Sequence, residues 1–196
     1  MVCYQVDFYK KSNLNQYHRL NNSNRKDNAT EFEKLHLNFE SIFFPVVVKF
    51  MIFRILQIAI PFVWFGTIGA ISFMEAPLKF TAPNITLPLG LGIGRIVFQT
   101  LNIIEIVLGL LMILSFVLAR PKGKLWLYLF GIIAFLLVLE TFWLLPVLDE
   151  RAAQIINGNA PPFSNTHIIY IVFDAIKFIL LFALGTILTK QNLRFE

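Results

Sequence analysis

The stretch ILQIAIPFVWFGTIGAISFM, residues 55–74, contains twenty residues and no charge. About 20 apolar residues in a helix are enough to cross the hydrocarbon core of a bilayer, which is roughly 30 Å thick. This stretch therefore predicts a transmembrane helix. We expect Pro61 to kink it, and Gly66 and Gly69 to allow a neighbouring helix to approach closely.

Three further apolar stretches follow, at about residues 96–118, 125–147 and 166–189. The whole chain is 57% hydrophobic and only 15% charged, with a mean hydropathy of +0.67. Soluble domains usually carry about 25% charged residues. The sequence thus predicts an all-α polytopic membrane protein, with a four-transmembrane-helix bundle over residues 51–189.

The composition also excludes several functional classes. The net charge of +5 does not indicate nucleic-acid binding, because the basic residues stand at the ends of apolar runs, where they act as topology signals. A single cysteine, Cys3, permits no intrachain disulfide and no thiolate zinc site. The three histidines, His18, His36 and His167, are scattered and form no HExxH motif.

Residues 1–50 are polar, rich in Asn, Lys and Glu, and lack a sustained apolar period. They have two interpretations, a disordered cytoplasmic tail or a segment upstream of a true start at Met51. A third hypothesis makes residues 51–72 a signal peptide, with Ala70 and Ser72 as its small residues. At the other end, residues 190–196 are expected to form a short cytoplasmic tail.

Proline and glycine mark the connections between the predicted spans. Pro77, Pro83 and Pro88 argue against a regular helix over residues 75–88. The following GxGxG at residues 90–94 is not a dinucleotide fingerprint, because no strand precedes it. After the third span, residues 149–156 predict a short interfacial helix.

The positions of Lys and Arg predict the orientation, because short cytoplasmic loops are enriched in both. Seven basic residues flank the spans on one side: Lys49, Arg54, Arg120, Lys122, Lys124, Lys190 and Arg194. On the other side, three basic residues are offset by three acidic ones. Both termini are therefore predicted to be cytoplasmic.

A polar stripe interrupts the second apolar stretch. Arg95, Gln99, Asn102 and Glu105 follow one another at spacings of four, three and three, so that they share one helical face. Glu105 lies roughly 15 Å along the axis from Arg95, which places it near the middle of the membrane. Polar residues at that depth usually face the bundle interior.

The fourth stretch carries a second stripe, formed by His167, Tyr170, Asp174 and Lys177. Together the spans predict an outward-facing polar pocket, rather than a pore. Its candidate residues are Glu75, Arg95, Asn102, Glu105, Glu140, His167 and Asp174.

A purely structural explanation stands beside the pocket. Asp174 and Lys177 are close enough to pair on their own helix, and buried hydrogen bonds hold helices together without any other role. Glu105 and Glu140 fit that explanation less well, because neither has a cation three or four residues away. A buried carboxylate suits proton carriage or cation binding.

Several motifs carry a resemblance to known proteins. They are SFMEAPLKFTAP at 72–83, GIGRIVF at 92–98, LNIIE at 101–105, LDERA at 148–152, Ser164, residues 167–170 and Lys177. Over about residues 51–189 the chain resembles a family of small bacterial four-helix integral membrane proteins that has no assigned reaction. The resemblance implies a multi-pass protein of the bacterial inner membrane, and it supports the alternative start at Met51.

Three hypotheses for the function follow from these residues. The first is an accessory or structural membrane subunit, whose partners are the bilayer and either copies of itself or another membrane protein. The second is transport or binding of a small solute, an ion or protons in the polar pocket. The third is a membrane enzyme that uses a metal or a quinone, with Glu75, Glu105, Glu140 and His167 as ligands. The sequence specifies no cofactor.

Overall fold

A computed structural model describes residues 47–48, 50–159 and 161–193. The chain divides after Lys49 into two units, and the architecture below is that of the second unit, Phe50–Glu196. The predicted polar tail therefore lies almost wholly outside the described residues, as do residues 194–196 of the predicted C-terminal tail.

Four helices form the second unit. They are α1 (Phe50–Thr81), α2 (Leu87–Leu118), α3 (Leu125–Ile156) and α4 (Thr166–Asn192). Each is long and apolar enough to cross a membrane. None of the residues that the structure describes lies in a strand. The predicted all-α bundle of four membrane-length helices is thus confirmed.

Short connections give the bundle two distinct ends. Residues 82–86 and 157–165 join helices at one end, which we call the distal end. Residues 119–124 form the turn at the opposite end, which we call the proximal end, together with the start of α1 and the end of α4. Successive helices therefore run antiparallel. That the proximal end faces the cytoplasm stays a prediction from the charge pattern.

The helices extend well beyond the predicted spans, and the expectation that three prolines interrupt residues 75–88 was wrong for most of that segment. Only residues 82–86 leave the helical path. Pro88 lies in the first turn of α2, where a backbone N–H would have no partner in any case. The Thr86 side chain caps this turn by accepting the Leu89 N–H at 3.4 Å.

A π-helical segment lies before Pro77 in α1, and another lies before Pro146 in α3. One runs over Gly69–Glu75, before Pro77, and the other over Glu140–Leu144, before Pro146. Proline lacks an N–H and collides with the carbonyl four residues earlier. A wider turn just before it lets each helix continue. Such π turns occur frequently at functional sites.

The segment predicted as a separate interfacial helix is instead the last part of α3. Residues 145–156 continue directly from the π-helical turn without a break. The apolar face of Leu148, Ala152 and Ile155 had indicated a separate amphipathic helix, but helical hydrogen bonding is continuous with the rest of α3. As a result, Asp149 and Glu140 are held on one helix, about two and a half turns apart.

An apolar core fills the proximal half of the bundle. Its buried residues are Ile60, Trp64, Ile68, Met112, Phe116, Trp126, Phe130, Ile133, Leu137, Leu181, Leu184 and Leu188. Aromatic rings extend the packing between α1 and α4, where Phe65 stacks on Phe178 with ring centroids 3.8 Å apart. Between membrane helices this packing stabilises through van der Waals contact, because lipid chains are themselves apolar.

Gln57 is a buried polar side chain in this proximal half. Gln57 of α1 is fully buried, and its amide donates to the carbonyl oxygens of Ser115 (2.8 Å) and Ala119 (2.5 Å). The Ser115 carbonyl also accepts the Ala119 N–H at 2.9 Å, and the Ala119 carbonyl stands at the end of α2, where no further helical N–H follows. Gln57 thus caps α2 inside an apolar environment.

Neighbouring isoleucines on α3 give a matched test of this core. Ile133 is fully buried and Ile132 is 48% exposed. We expect Ile133→Ala to lower the free energy of unfolding in detergent by about 2 kcal/mol or more, because it leaves a cavity. Ile132→Ala should cost much less. Equal losses in a reversible unfolding assay would contradict the helix orientation described here.

Candidate functional site

A cluster of charged side chains lies buried in the middle of the bundle. It consists of Glu105 from α2, Glu140 from α3, and Asp174 and Lys177 from α4, and we call it the carboxylate cluster. All four residues are fully buried. Charged side chains at such positions are costly in a membrane, so they occur where partners compensate them.

Lys177 is the centre of the cluster. Its ammonium lies 2.7 Å from Glu105 Oε1 and also donates to Glu140 Oε2. Asp174, one turn earlier on α4, completes the group with Oδ1 at 2.9 Å, as an ion pair without hydrogen-bond geometry. A single cation therefore contacts carboxylates from three helices.

Trp64 brings α1 into the same cluster. Its indole N–H donates to Glu105 Oε1 at 2.8 Å, and the ring is almost fully buried. The same carboxylate oxygen thus receives bonds from α1 and α4. The cluster and Trp64 link all four helices through directional polar contacts.

The charges of the cluster do not balance. One ammonium faces three carboxylates, which gives a formal charge of −2 when all four groups are ionised. Several carboxylate oxygens also lack a hydrogen-bond partner among the described residues: Glu105 Oε2, Glu140 Oε1 and both oxygens of Asp174. Because uncompensated buried charge is strongly unfavourable, the remaining negative charge has to be neutralised by protons or by a cation.

A cavity of about 1100 Å³ lies on the distal side of the cluster. All four helices line it, including the segments around Pro77 of α1 and Pro146 of α3. A volume of this size is at the upper end of the range for small-molecule sites, roughly 300–1,000 Å³. Most of its lining is apolar, with a few polar groups among aromatic rings.

An ion pair fixes one wall of the cavity. Arg95 of α2 binds Asp149 of α3 through two hydrogen bonds, from Nε at 2.6 Å and from an Nη at 2.7 Å. Gln99, one turn further along α2, donates to the same carboxylate at 3.1 Å. Bidentate pairing of this kind fixes the geometry of both side chains. It holds α2 against the distal part of α3.

A layer of residues about one helical turn thick forms the floor of the cavity and separates the cavity from the carboxylate cluster. Asn102 donates to Thr141 Oγ1 at 2.9 Å, and Tyr170 packs edge-on against Phe98. Asn102 precedes Glu105 by three residues, Thr141 follows Glu140 directly, and Tyr170 precedes Asp174 by four. Asn102 and Tyr170 therefore each lie about one turn from a carboxylate of the cluster on their own helix, whereas Thr141 is the neighbour of Glu140 in sequence.

The structure divides the seven candidate residues among three places. Arg95, Asn102 and His167 line the cavity. Glu105, Glu140 and Asp174 form the carboxylate cluster and do not line it. Glu75 belongs to neither group, and pairs with Lys79 on its own helix at 3.4 Å.

Sequence reasoning missed the role of two residues. Lys177 was expected to pair only with Asp174, yet it contacts all three carboxylates. Trp64 was assigned no role, yet it donates to Glu105. The available signal was depth, because Glu105, Glu140 and Asp174 fall at similar levels and Lys177 is the nearest cation to that level.

The three carboxylates of the cluster also form the one group among the described residues with the spacing of metal ligands. One oxygen from each lies within 4.8 Å of the others. The group includes neither Glu75 nor His167, which the metal-enzyme hypothesis had combined with Glu105 and Glu140. Lys177 contacts the same carboxylates, so a cation there would compete with its ammonium.

Comparisons with protein-family models, with curated proteins and with solved structures give no match for this chain. The resemblance to small bacterial membrane proteins thus stays a prediction from the motifs.

Removing the central cation gives the most direct test of the cluster. We expect Lys177→Met to lower stability by about 3–5 kcal/mol, because it leaves buried carboxylates without their counter-charge. Accumulation in the membrane and the thermal midpoint in detergent would report the loss.

Charge-balanced variants supply the control for this prediction. Replacing Glu105 and Glu140 with Gln in the Lys177→Met background removes two negative charges, and should restore much of the lost stability. If the triple variant is no more stable than Lys177→Met alone, electrostatic compensation does not explain the role of Lys177.

The contact between Trp64 and Glu105 can be tested with a matched tryptophan. Trp64→Phe removes the indole donor, and should cost about 1–3 kcal/mol because a buried charged acceptor loses a partner. Trp143 is 50% exposed, and Trp143→Phe should change stability far less. Similar losses for the two variants would count against the buried hydrogen bond.

Proposed function

We propose that this chain is a multi-pass membrane protein that binds a small solute in its distal cavity and binds protons at the carboxylate cluster. The observation that carries the proposal is the excess of carboxylates over cations directly beneath the cavity. The charge pattern and the motif resemblance support a bacterial inner membrane, with both termini in the cytoplasm and the cavity facing outward.

Protons suit the cluster better than a second cation does. The ammonium of Lys177 already occupies the space between the carboxylates. Another cation would have to approach that ammonium in a medium of low polarity, where like charges repel strongly. A proton added to a free carboxylate oxygen needs no such approach, and turns that oxygen into a hydrogen-bond donor.

The cavity and the carboxylate cluster are neighbours, which supports coupling between solute binding and proton binding. Asn102, Thr141 and Tyr170 are shared neighbours of the cavity and of the cluster. A solute that displaces water from this floor lowers the polarity around the carboxylates. Their affinity for protons then changes with occupancy of the cavity, and by linkage the affinity for the solute changes with protonation.

A specific observation also favours the structural hypothesis. The cluster and Trp64 contact all four helices, which is what a device for fixing helix register requires. In that case the charge of the cluster stays constant, and the protein needs no exchange of protons with water. The two hypotheses therefore differ in whether the carboxylates titrate.

Infrared spectroscopy of the protein in lipid nanodiscs separates these hypotheses. The proposal predicts a C=O band from protonated carboxyl groups whose intensity changes as the pH of the medium is stepped, and which shifts after transfer to D2O. Glu105→Gln and Glu140→Gln should each remove part of that change. Glu150→Gln, at an exposed position on α3, should leave it intact.

A purely structural cluster gives a different spectrum. Its carboxyl band stays constant across the pH steps, or the pH-dependent change survives in both cluster variants. Either result would contradict the proposed proton binding.

A further inference from the structure

The charged groups that line the cavity favour an anionic ligand. Lys79, Arg95 and Arg151 line it, whereas Asp149 is the one carboxylate among its lining residues. Three positive charges therefore face one negative charge. Arg95 pairs with Asp149, and Arg151 donates to the Pro162 carbonyl. Lys79, whose ion pair with Glu75 is a long 3.4 Å, is therefore the cation best placed to bind an anion.

Lys79 extends into the cavity rather than out of the membrane. Its side chain is only 9% exposed, and its ammonium lies 3.1 Å from the position that a Cβ on Gly94 would occupy. The rings of Phe80 and Phe98 flank the ammonium at 5.6 and 5.1 Å. Glu75 provides the only carboxylate within ion-pair distance among the described residues, at a long 3.4 Å.

Tyr170 has a buried hydroxyl beside the same cavity. The residue is 2% exposed and lines the cavity, and its hydroxyl has no hydrogen-bond partner in the part of the chain that is described. Its ring contacts Phe98, which is also the ring beneath the Lys79 ammonium. A buried hydroxyl without a partner is unfavourable, so an acceptor from a ligand would satisfy it.

The cavity also reaches the lipid-facing surface of the bundle. Phe73, Ile103 and Ile171 line it, and are nevertheless 38%, 62% and 41% exposed. Apolar residues exposed on a membrane helix face lipid chains. A ligand with an alkyl chain is able to enter between these residues from the bilayer and to leave its chain there.

We propose that the cavity binds the anionic head group of a single-chain amphiphile, a carboxylate or a phosphate, between the Lys79 ammonium and the Tyr170 hydroxyl. The alkyl chain leaves past Ile103 and Ile171 into the lipid. Charge-assisted bonding from Lys79 and a hydrogen bond from Tyr170 hold the head group. This inference rests on the proposed binding of a solute in the cavity, and specifies its chemical class.

Competition binding tests the head-group preference. A dansyl-labelled undecanoic acid serves as the fluorescent probe, with the protein in phosphatidylcholine nanodiscs. Laurate or dodecyl phosphate should displace the probe at least about tenfold more effectively than dodecanol does, because the alcohol has no charge for Lys79. Dodecyltrimethylammonium should not compete. The relative affinities of laurate and dodecyl phosphate identify the head group.

Variants test which side chains produce the preference for an anionic head group. Lys79→Met should remove most of the difference between laurate and dodecanol, and Tyr170→Phe should weaken binding of the acid by about three- to tenfold. Lys124→Met, at the proximal end of α3, should have no effect. As a readout independent of fluorescence, laurate should protect Ser72→Cys, in a Cys3→Ser background, from maleimide labelling, since Ser72 lines the cavity.

The outcomes separate this inference from the proposed function. If dodecanol and laurate compete equally, or if Lys79→Met leaves the preference unchanged, the anionic head-group site is wrong, while pH-dependent carboxyl bands would still support proton binding. If laurate binds as described but the carboxyl bands do not titrate, the inference stands as a binding site and the proton-linked function fails.

Discussion

The contact of one ammonium with three carboxylates in the middle of the bundle is the constraint on which the rest of the structure depends. Glu105, Glu140 and Asp174 can be buried only where Lys177 reaches them all. That requirement fixes the rotation of α2, α3 and α4 about their axes, and the Trp64 hydrogen bond fixes α1 in turn. Apolar packing alone specifies such rotations weakly, because lipid is a comparable neighbour for most apolar side chains.

The two ends of the bundle differ because packing closes only one of them. The proximal half is filled by an apolar core and closed by Gln57 at the end of α2. In the distal half, the π-helical turns before Pro77 and Pro146 lie beside the cavity, and the pair between Arg95 and Asp149 holds one wall in place. In this arrangement the cavity proposed to bind a solute lies on the distal side of the carboxylate cluster.

Hydropathy was sufficient to predict the four helices, because spanning a bilayer requires long apolar runs. The expected effect of Pro77 was too large, because this residue follows a wider helical turn, which a residue pattern does not reveal. Helical periodicity placed Glu105 and Asp174 on inward faces. It did not bring Lys177 to Glu105 and Glu140, because contacts between helices depend on their relative rotation, which no local period encodes. The pocket was predicted as a polar one, without its aromatic lining and with Glu105, Glu140 and Asp174 among its residues.

Solid-state NMR of the protein in lipid bilayers tests the contacts of Lys177 with the carboxylate cluster directly. It measures dipolar couplings between the Lys177 side-chain nitrogen and glutamate carboxyl carbons. With 15N-lysine and 13C-glutamate labelling, we expect strong couplings from one lysine nitrogen to two carboxyl carbons. One coupling disappears in Glu105→Gln and the other in Glu140→Gln. A Lys177 nitrogen without coupling to either glutamate, in a protein that remains folded, would contradict the cluster.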